Sequence, residues 1–184
     1  MVSRLLMRTL RMRARKAETS QAGGGYRAER APSAAERRPP EEAAMELVAA
    51  LDYTRAQRRC VLVTIKADGR PQTSNVFQWT DADGVVRVSL TDDRAKTRNL
   101  RRDPRVSLHV TAEDFWSYVV LEGEADLSPV AADPGDATCD ELVAYYRALQ
   151  GEHPDWDEYR AAMVADRRLV LRLRPTYAYG MVRD

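Results

Sequence analysis

Thr91-Asp92-Asp93-Arg94-Ala95-Lys96-Thr97-Arg98-Asn99-Leu100-Arg101-Arg102-Asp103-Pro104-Arg105 decides how this 184-residue chain is read. The stretch lies between two β-rich runs, Val85 to Leu90 and Val106 to Val110. Its polar, basic composition predicts a short helix joining two strands, with Asp92 or Asp93 as the N-cap. Pro104 has no N–H and disfavours a helical Asp103, so the helix must stop there. Free N–H groups at a helix start favour anions, and Arg94 and Lys96 add full positive charge at the same place. A phosphate or carboxylate tail on a small molecule suits such a site.

Outward from this helix the chain is rich in strands. Upstream, Glu41 to Arg59 predicts a helix whose apolar side carries Met45, Leu47, Val48 and Leu51. Cys60 to Ile65 is β-rich and ends at the turn Ala67-Asp68-Gly69-Arg70, and Pro71 to Trp79 alternates less cleanly up to the turn Asp81-Ala82-Asp83-Gly84. Downstream of the helix, Arg105 to Val110 and Ser117 to Leu127 read as the fourth and fifth strands, with Gly123 as a candidate bulge. Two helical patterns, Thr138 to Gln150 and Asp155 to Asp166, precede a sharply alternating sixth strand, Arg168 to Arg174. Closely spaced strands linked mostly by turns imply an antiparallel barrel with helices packed outside.

Charge is distributed unevenly. Residues 1–40 hold nine Arg and one Lys against three Glu, a net of +7. That leaves 19 basic and 25 acidic residues in 41–184, a net of −6. A mildly acidic body argues against a general nucleic-acid surface, so any anion site in it is local. Arg4, Arg8, Arg11 and Arg15 share one helical face, whereas Gly23-Gly24-Gly25 and Pro39-Pro40 break structure. The expectation for 1–40 is a disordered basic extension, with a membrane-surface helix as the other reading and Met45 as an alternative start. The domain proper is expected over 41–184.

No apolar run reaches the length of a membrane-spanning helix. Cys60 and Cys139 belong to no CxxC or His/Cys cluster and suit a reducing cytosol. His109 sits in a strand and His153 in a loop, so no metal site is expected. Walker, GxGxxG, HExxH and GxSxG patterns are absent from the sequence. Glu122 and Glu124 read as an exposed strand face. Trp116 and Tyr118 read equally well as core aromatics, as interface aromatics, or as surfaces on which a flat ring stacks.

Taken in order, Asp68-Gly69-Arg70-Pro71, Ser74-Asn75-Val76, the basic helix, Trp116-Ser117-Tyr118 and Glu122-Gly123 resemble a known superfamily. It is the pyridoxamine-phosphate-oxidase-like, FMN-binding split β-barrel class. Gly151-Glu152-His153-Pro154-Asp155-Trp156 and Met163-Val164-Ala165-Asp166-Arg167-Arg168 make the chain most similar to its actinobacterial branch that uses coenzyme F420, a deazaflavin. The resemblance covers about 45–181 and implies a mainly β fold with flanking helices, a six-stranded antiparallel split barrel that forms a cytoplasmic homodimer.

The same resemblance implies two cofactor sites along the subunit interface. Arg94 and Lys96 would hold the tail phosphate, with Ser89, Thr97 and Asn99 adding neutral hydrogen bonds. Asn75, Val76 and Phe77 would face the ring, and Trp116 and Tyr118 would come from the partner chain. The implied activity is F420-dependent hydride transfer to a small organic substrate. FMN, in an enzyme like pyridoxamine-phosphate oxidase, is the alternative cofactor, and a non-catalytic F420 carrier is the alternative role.

Overall fold

The computed structural model describes residues 44–113 and 115–183. The expected basic extension lies outside the described residues. In chain order the elements are α1 (Leu47–Ala56), β1 (Arg59–Ile65), β2 (Pro71–Phe77), β3 (Trp79–Thr80), β4 (Val86–Thr91) and α2 (Ala95–Arg102). They continue with β5 (Arg105–Thr111), β6 (Tyr118–Leu127), α3 (Ala137–Gln150), α4 (Trp156–Ala165), β7 (Arg168–Leu173) and β8 (Tyr177–Met181).

The strands form one antiparallel, curled sheet in the order β2-β1-β5-β6-β7-β4-β3, with β8 paired to β6. The ten-residue β6 joins its two halves. Its first part, Tyr118 to Glu124, pairs with β5, and Ala125 to Leu127 pairs with β7. The two ends of the path come back towards each other, so that β2 approaches β4 without pairing to it. This open seam between two curled half-sheets is the feature that positions the candidate site.

Among the described residues eight strands replace the six expected. The run from Pro71 divides at Gln78, which is almost wholly buried. Its backbone N–H donates to Arg58 O, and its side-chain amide donates to Thr54 O at 2.8 Å and to Gln57 O. A buried amide is tolerated only when it is satisfied. Satisfying it here bends the chain towards α1 and splits β2 from β3. The last strand, β8, forms against β6 because Gly180 lets the backbones close. A Cβ on Gly180 would lie 2.2 Å from Tyr118 O.

Gly123 is not a bulge, since the β5–β6 ladder runs through it in regular register with Val106 opposite. Its lack of a side chain instead admits Leu173 and the Arg174 carbonyl, which a Cβ would meet at 2.9 and 3.0 Å. The helix α2 also starts differently from expectation. Arg94 is its N-cap, and no side chain caps it. Asp92 is engaged elsewhere, by Arg167 at 2.5 Å and by Arg101, and so is not available to the helix amides.

Alternation places the core as the sequence predicts. Leu62, Leu108, Leu121, Leu169, Leu171 and Leu173 are fully buried inside the curled sheet, and each contributes roughly 1.5–3 kcal/mol of burial. β7 is buried on its other side as well, where Val170 joins Cys139 and Leu142 beneath α3. Side-chain oxygens cap the helices on that side. Asp136 accepts from Cys139 N at 2.7 Å and Asp155 from Glu158 N at 2.9 Å. Within α1, Val48 is 72% exposed rather than facing the core with Leu47 and Leu51.

Candidate cofactor cleft

A cleft of about 340 Å³ opens along the seam between β2 and β4. Asn75, Val76 and Phe77 form one wall, and Ser89, Leu90 and Thr91 form the opposite one. Tyr145 of α3 with Tyr159 and Met163 of α4 supply an apolar side, while Arg94, Lys96 and Arg168 gather at one end. No carboxylate is among the described residues that line it.

Local structure explains each contribution. The start of α2 carries Arg94 as N-cap and Lys96 in the first turn, with free backbone N–H groups beside them. The β4–β7 register pairs Thr91 with Arg168, which brings the third cation to the same place. Arg94 and Arg168 each have an adjacent aspartate, Asp93 at 3.6 Å and Asp166 at 3.3 Å. Lys96 has no carboxylate partner among the described residues. Burial, with the charges of Arg94 and Arg168 nearby, holds its ammonium below the usual lysine range. A partly desolvated ammonium beside like charges and without a carboxylate of its own is an arrangement that a bound anion relieves.

The tyrosines fix the apolar side. Tyr145 donates from its hydroxyl to Phe77 O at 2.8 Å, tying α3 to the end of β2. Tyr159 donates to Leu142 O at 3.1 Å, and burial pushes its phenol up to about 12. Both hydroxyls therefore stay protonated at neutral pH and act as struts rather than bases.

Six of the ten residues expected to touch a cofactor line this one cleft: Asn75, Val76, Phe77, Ser89, Arg94 and Lys96. Thr97 and Asn99 do not line it, because both turn inward. Thr97 donates its hydroxyl to Thr91 O at 2.8 Å, and Asn99 donates its amide to Thr64 Oγ1 at 3.1 Å and Gln72 Oε1 at 3.0 Å. Their polar atoms seat α2 against β1, β2 and β4. Trp116 and Tyr118 lie at the β5–β6 connection, away from this cleft. Tyr118 packs on His109 with ring centroids 5.3 Å apart, and Trp116 carries the Arg183 guanidinium at 5.4 Å.

Leu90, Thr91, Arg168, Tyr145, Tyr159 and Met163 are the lining residues that sequence reading missed as site residues. Arg168 had one usable signal, an Arg-Arg pair at the start of an alternating strand. Its position next to Lys96 depends on strand register, which no local pattern encodes.

The family model for pyridoxamine 5'-phosphate oxidase matches residues 29–181. The chain belongs to the pyridoxamine 5'-phosphate oxidase family. The match starts upstream of the span over which the sequence resemblance was drawn. Among solved structures, an F420 reductase is 27% identical, with a TM-score of 0.53 over 66% of this chain and 89% of that one. A conserved hypothetical protein from Mycobacterium tuberculosis is 21% identical, with a TM-score of 0.59 over 77% and 87%. A heme-binding protein from Mycobacterium smegmatis is 20% identical, with a TM-score of 0.55 over 73% of this chain and 53% of that one. The last two likenesses are likenesses of fold. The chain thus shares its fold with these structures, and the site residues must decide the chemistry.

Proposed function

We propose that this protein is an F420-dependent oxidoreductase that reduces a small organic substrate, and that the seam cleft holds the cofactor. One observation carries the reading: three cations converge at one end of a cleft of mixed polar and apolar lining in which no described residue is a carboxylate. Such a cleft suits a flat ring joined to an anionic tail. In this reading Arg94, Lys96 and Arg168 take the tail phosphate, the arginines by paired N–H donors and the lysine as a compact charge. Asn75, Val76, Phe77 and Ser89 border the ring, and Tyr145, Tyr159 and Met163 exclude water from it. Thr97 and Asn99 act at one remove, by fixing the angle of α2.

When bound, the reduced deazaflavin supplies a hydride from C5. The chain's own tasks are then to bind, to orient and to keep the site dry, which need no nucleophile or metal ligand set. Support for the deazaflavin is the similarity to an F420 reductase. Family membership favours a second reading, an FMN enzyme related to pyridoxamine 5'-phosphate oxidase. The protein is further proposed to work as a cytoplasmic homodimer. The outer face of β1, β2, β5 and β8 leaves Phe77, Tyr177 and Met181 at 42–50% exposure, with Trp116 at 58% beside them. A second copy would cover these and bring Trp116 and Tyr118 to the cofactor.

Fluorescence titration of the purified full chain with F420 and, in parallel, with FMN tests the assignment. Tight F420 binding with weak FMN binding is expected. The reverse preference would transfer the site to the flavin reading.

A further inference from the structure

A second cavity, of about 360 Å³, adjoins the cleft across β2, and the same three residues, Asn75, Val76 and Phe77, line both. Its other walls come from neighbouring strands in register. Arg59 of β1 lies opposite Phe77, and Val61 lies between Asn75 on β2 and His109 on β5. Cross-strand partners like these stand about 5 Å apart, so the cavity is built on the pleat of the sheet, on the outer face that the proposed second copy would cover, and in that dimer it would lie at the subunit interface.

The chemistry of its lining is selective. Among the described residues that line it, Arg59 carries the one formal charge and none is a carboxylate. Among the described residues Arg59 has no carboxylate partner. Cys60 also contributes, but burial pushes its thiol up to about 12, so it brings no negative charge. Thr111 Oγ1 lies 3.2 Å from His109 Nδ1. That contact fixes the orientation of the His109 ring, which adds a polar edge to the cavity wall. Phe77 and Val61 provide flat and branched apolar surface between these polar groups.

We infer that this cavity is the substrate subsite and that it selects a planar, conjugated organic anion, with Arg59 pairing to its carboxylate. The inference rests on the reading of the seam cleft as the cofactor site. A guanidinium matches a carboxylate through two parallel N–H bonds, which fixes the plane of a conjugated acid as well as its position. Phe77, common to both cavities, then brings the conjugated part of the substrate next to the cofactor ring. A neutral isostere of the same shape gains the apolar contacts and lacks the ion pair, so charge rather than size sets the preference.

The test uses trans-cinnamate and trans-cinnamamide, an anion and its neutral isostere, titrated calorimetrically against the full-length protein with and without saturating F420. Wild type should bind cinnamate at least about tenfold more tightly than the amide. Arg59→Gln should abolish that preference, leave amide affinity unchanged and leave F420 affinity unchanged. Arg59→Lys, which keeps the charge without the paired donors, should retain part of the preference.

Equal binding of acid and amide to wild type, no binding of cinnamate at all, or a preference that survives Arg59→Gln would each overturn the inference. Failure of the underlying reading looks different. F420 would then not bind, whereas an Arg59-dependent preference for cinnamate would still support an anion subsite on its own.

Discussion

Lys96 separates binding from folding at the level of single residues. Its pKa is lowered by burial and by the nearby charges of Arg94 and Arg168, so the ammonium is lost before the ordinary lysine value of 10.5. Affinity for a phosphate-tailed cofactor should therefore fall as the pH rises through this lowered pKa. Stability of the unliganded chain runs the other way. Between the lowered value and 10.5 the unfolded chain binds more protons, so this group's contribution to stability rises with pH. F420 titrations across the alkaline range read the first effect, and an affinity that stays flat there would contradict it. Asn99, three residues on, should behave oppositely to a ligand contact. Asn99→Ala removes the buried amide that donates to Thr64 Oγ1 and Gln72 Oε1 and should lower unfolding stability by about 1–3 kcal/mol, read from urea titration. The thiols of Cys60 and Cys139, held at about 12 and about 11, should react with a thiol reagent only when the chain unfolds. Ordinary reaction rates in the folded protein would be inconsistent with their burial. Ser89 came only with the family resemblance, whereas the place of Arg94 and Lys96 at the start of a helix between two strands was legible in the sequence, because a charge run flanked by two strands has few possible placements. The inward turn of Thr97 and Asn99 was not, because it depends on partners in β1, β2 and β4.

Among the elements, the strands with strict alternation could be read directly. β1, β5 and β7 lie within a residue of their expected limits, since their apolar positions match the side-chain period of two. The departures occur where tertiary partners override local pattern. Asp92 resembles a cap in sequence but is held by Arg101 and Arg167, and burial of Gln78 breaks one long run into β2 and β3. The short β8 carries no strong periodicity and exists because Gly180 lies against Tyr118 O. Gly180→Ala should consequently detach β8 from β6. Hydrogen exchange at Tyr179 and Met181 should then accelerate while the amides of β4 and β7 keep their protection. Protection of β8 equal to wild type would show that the close approach is not limiting.

For the whole molecule, the curled sheet leaves two consequences at its open seam. One is the acid-free cleft, and the other is an outward face whose aromatic and Met side chains are unusually exposed for a sheet. Sedimentation of the purified chain should give a dimer, and Tyr177→Ser with Met181→Ser, neither of which lines the cleft, should shift it towards monomer with loss of F420 affinity. A wild-type monomer that binds F420 tightly would remove the partner chain from the site. The family and the mainly β class were legible from motif order, whereas the strand count and the composition of the cleft required the register. The most direct measurement is F420 affinity of wild type against Lys96→Ala at fixed salt, with the unliganded melting temperature recorded for both. A loss of about 1–3 kcal/mol, roughly five- to 150-fold, with the melting temperature unchanged or raised is predicted. Equal affinity in the two proteins would contradict the assignment of the seam cleft as the cofactor's anion site.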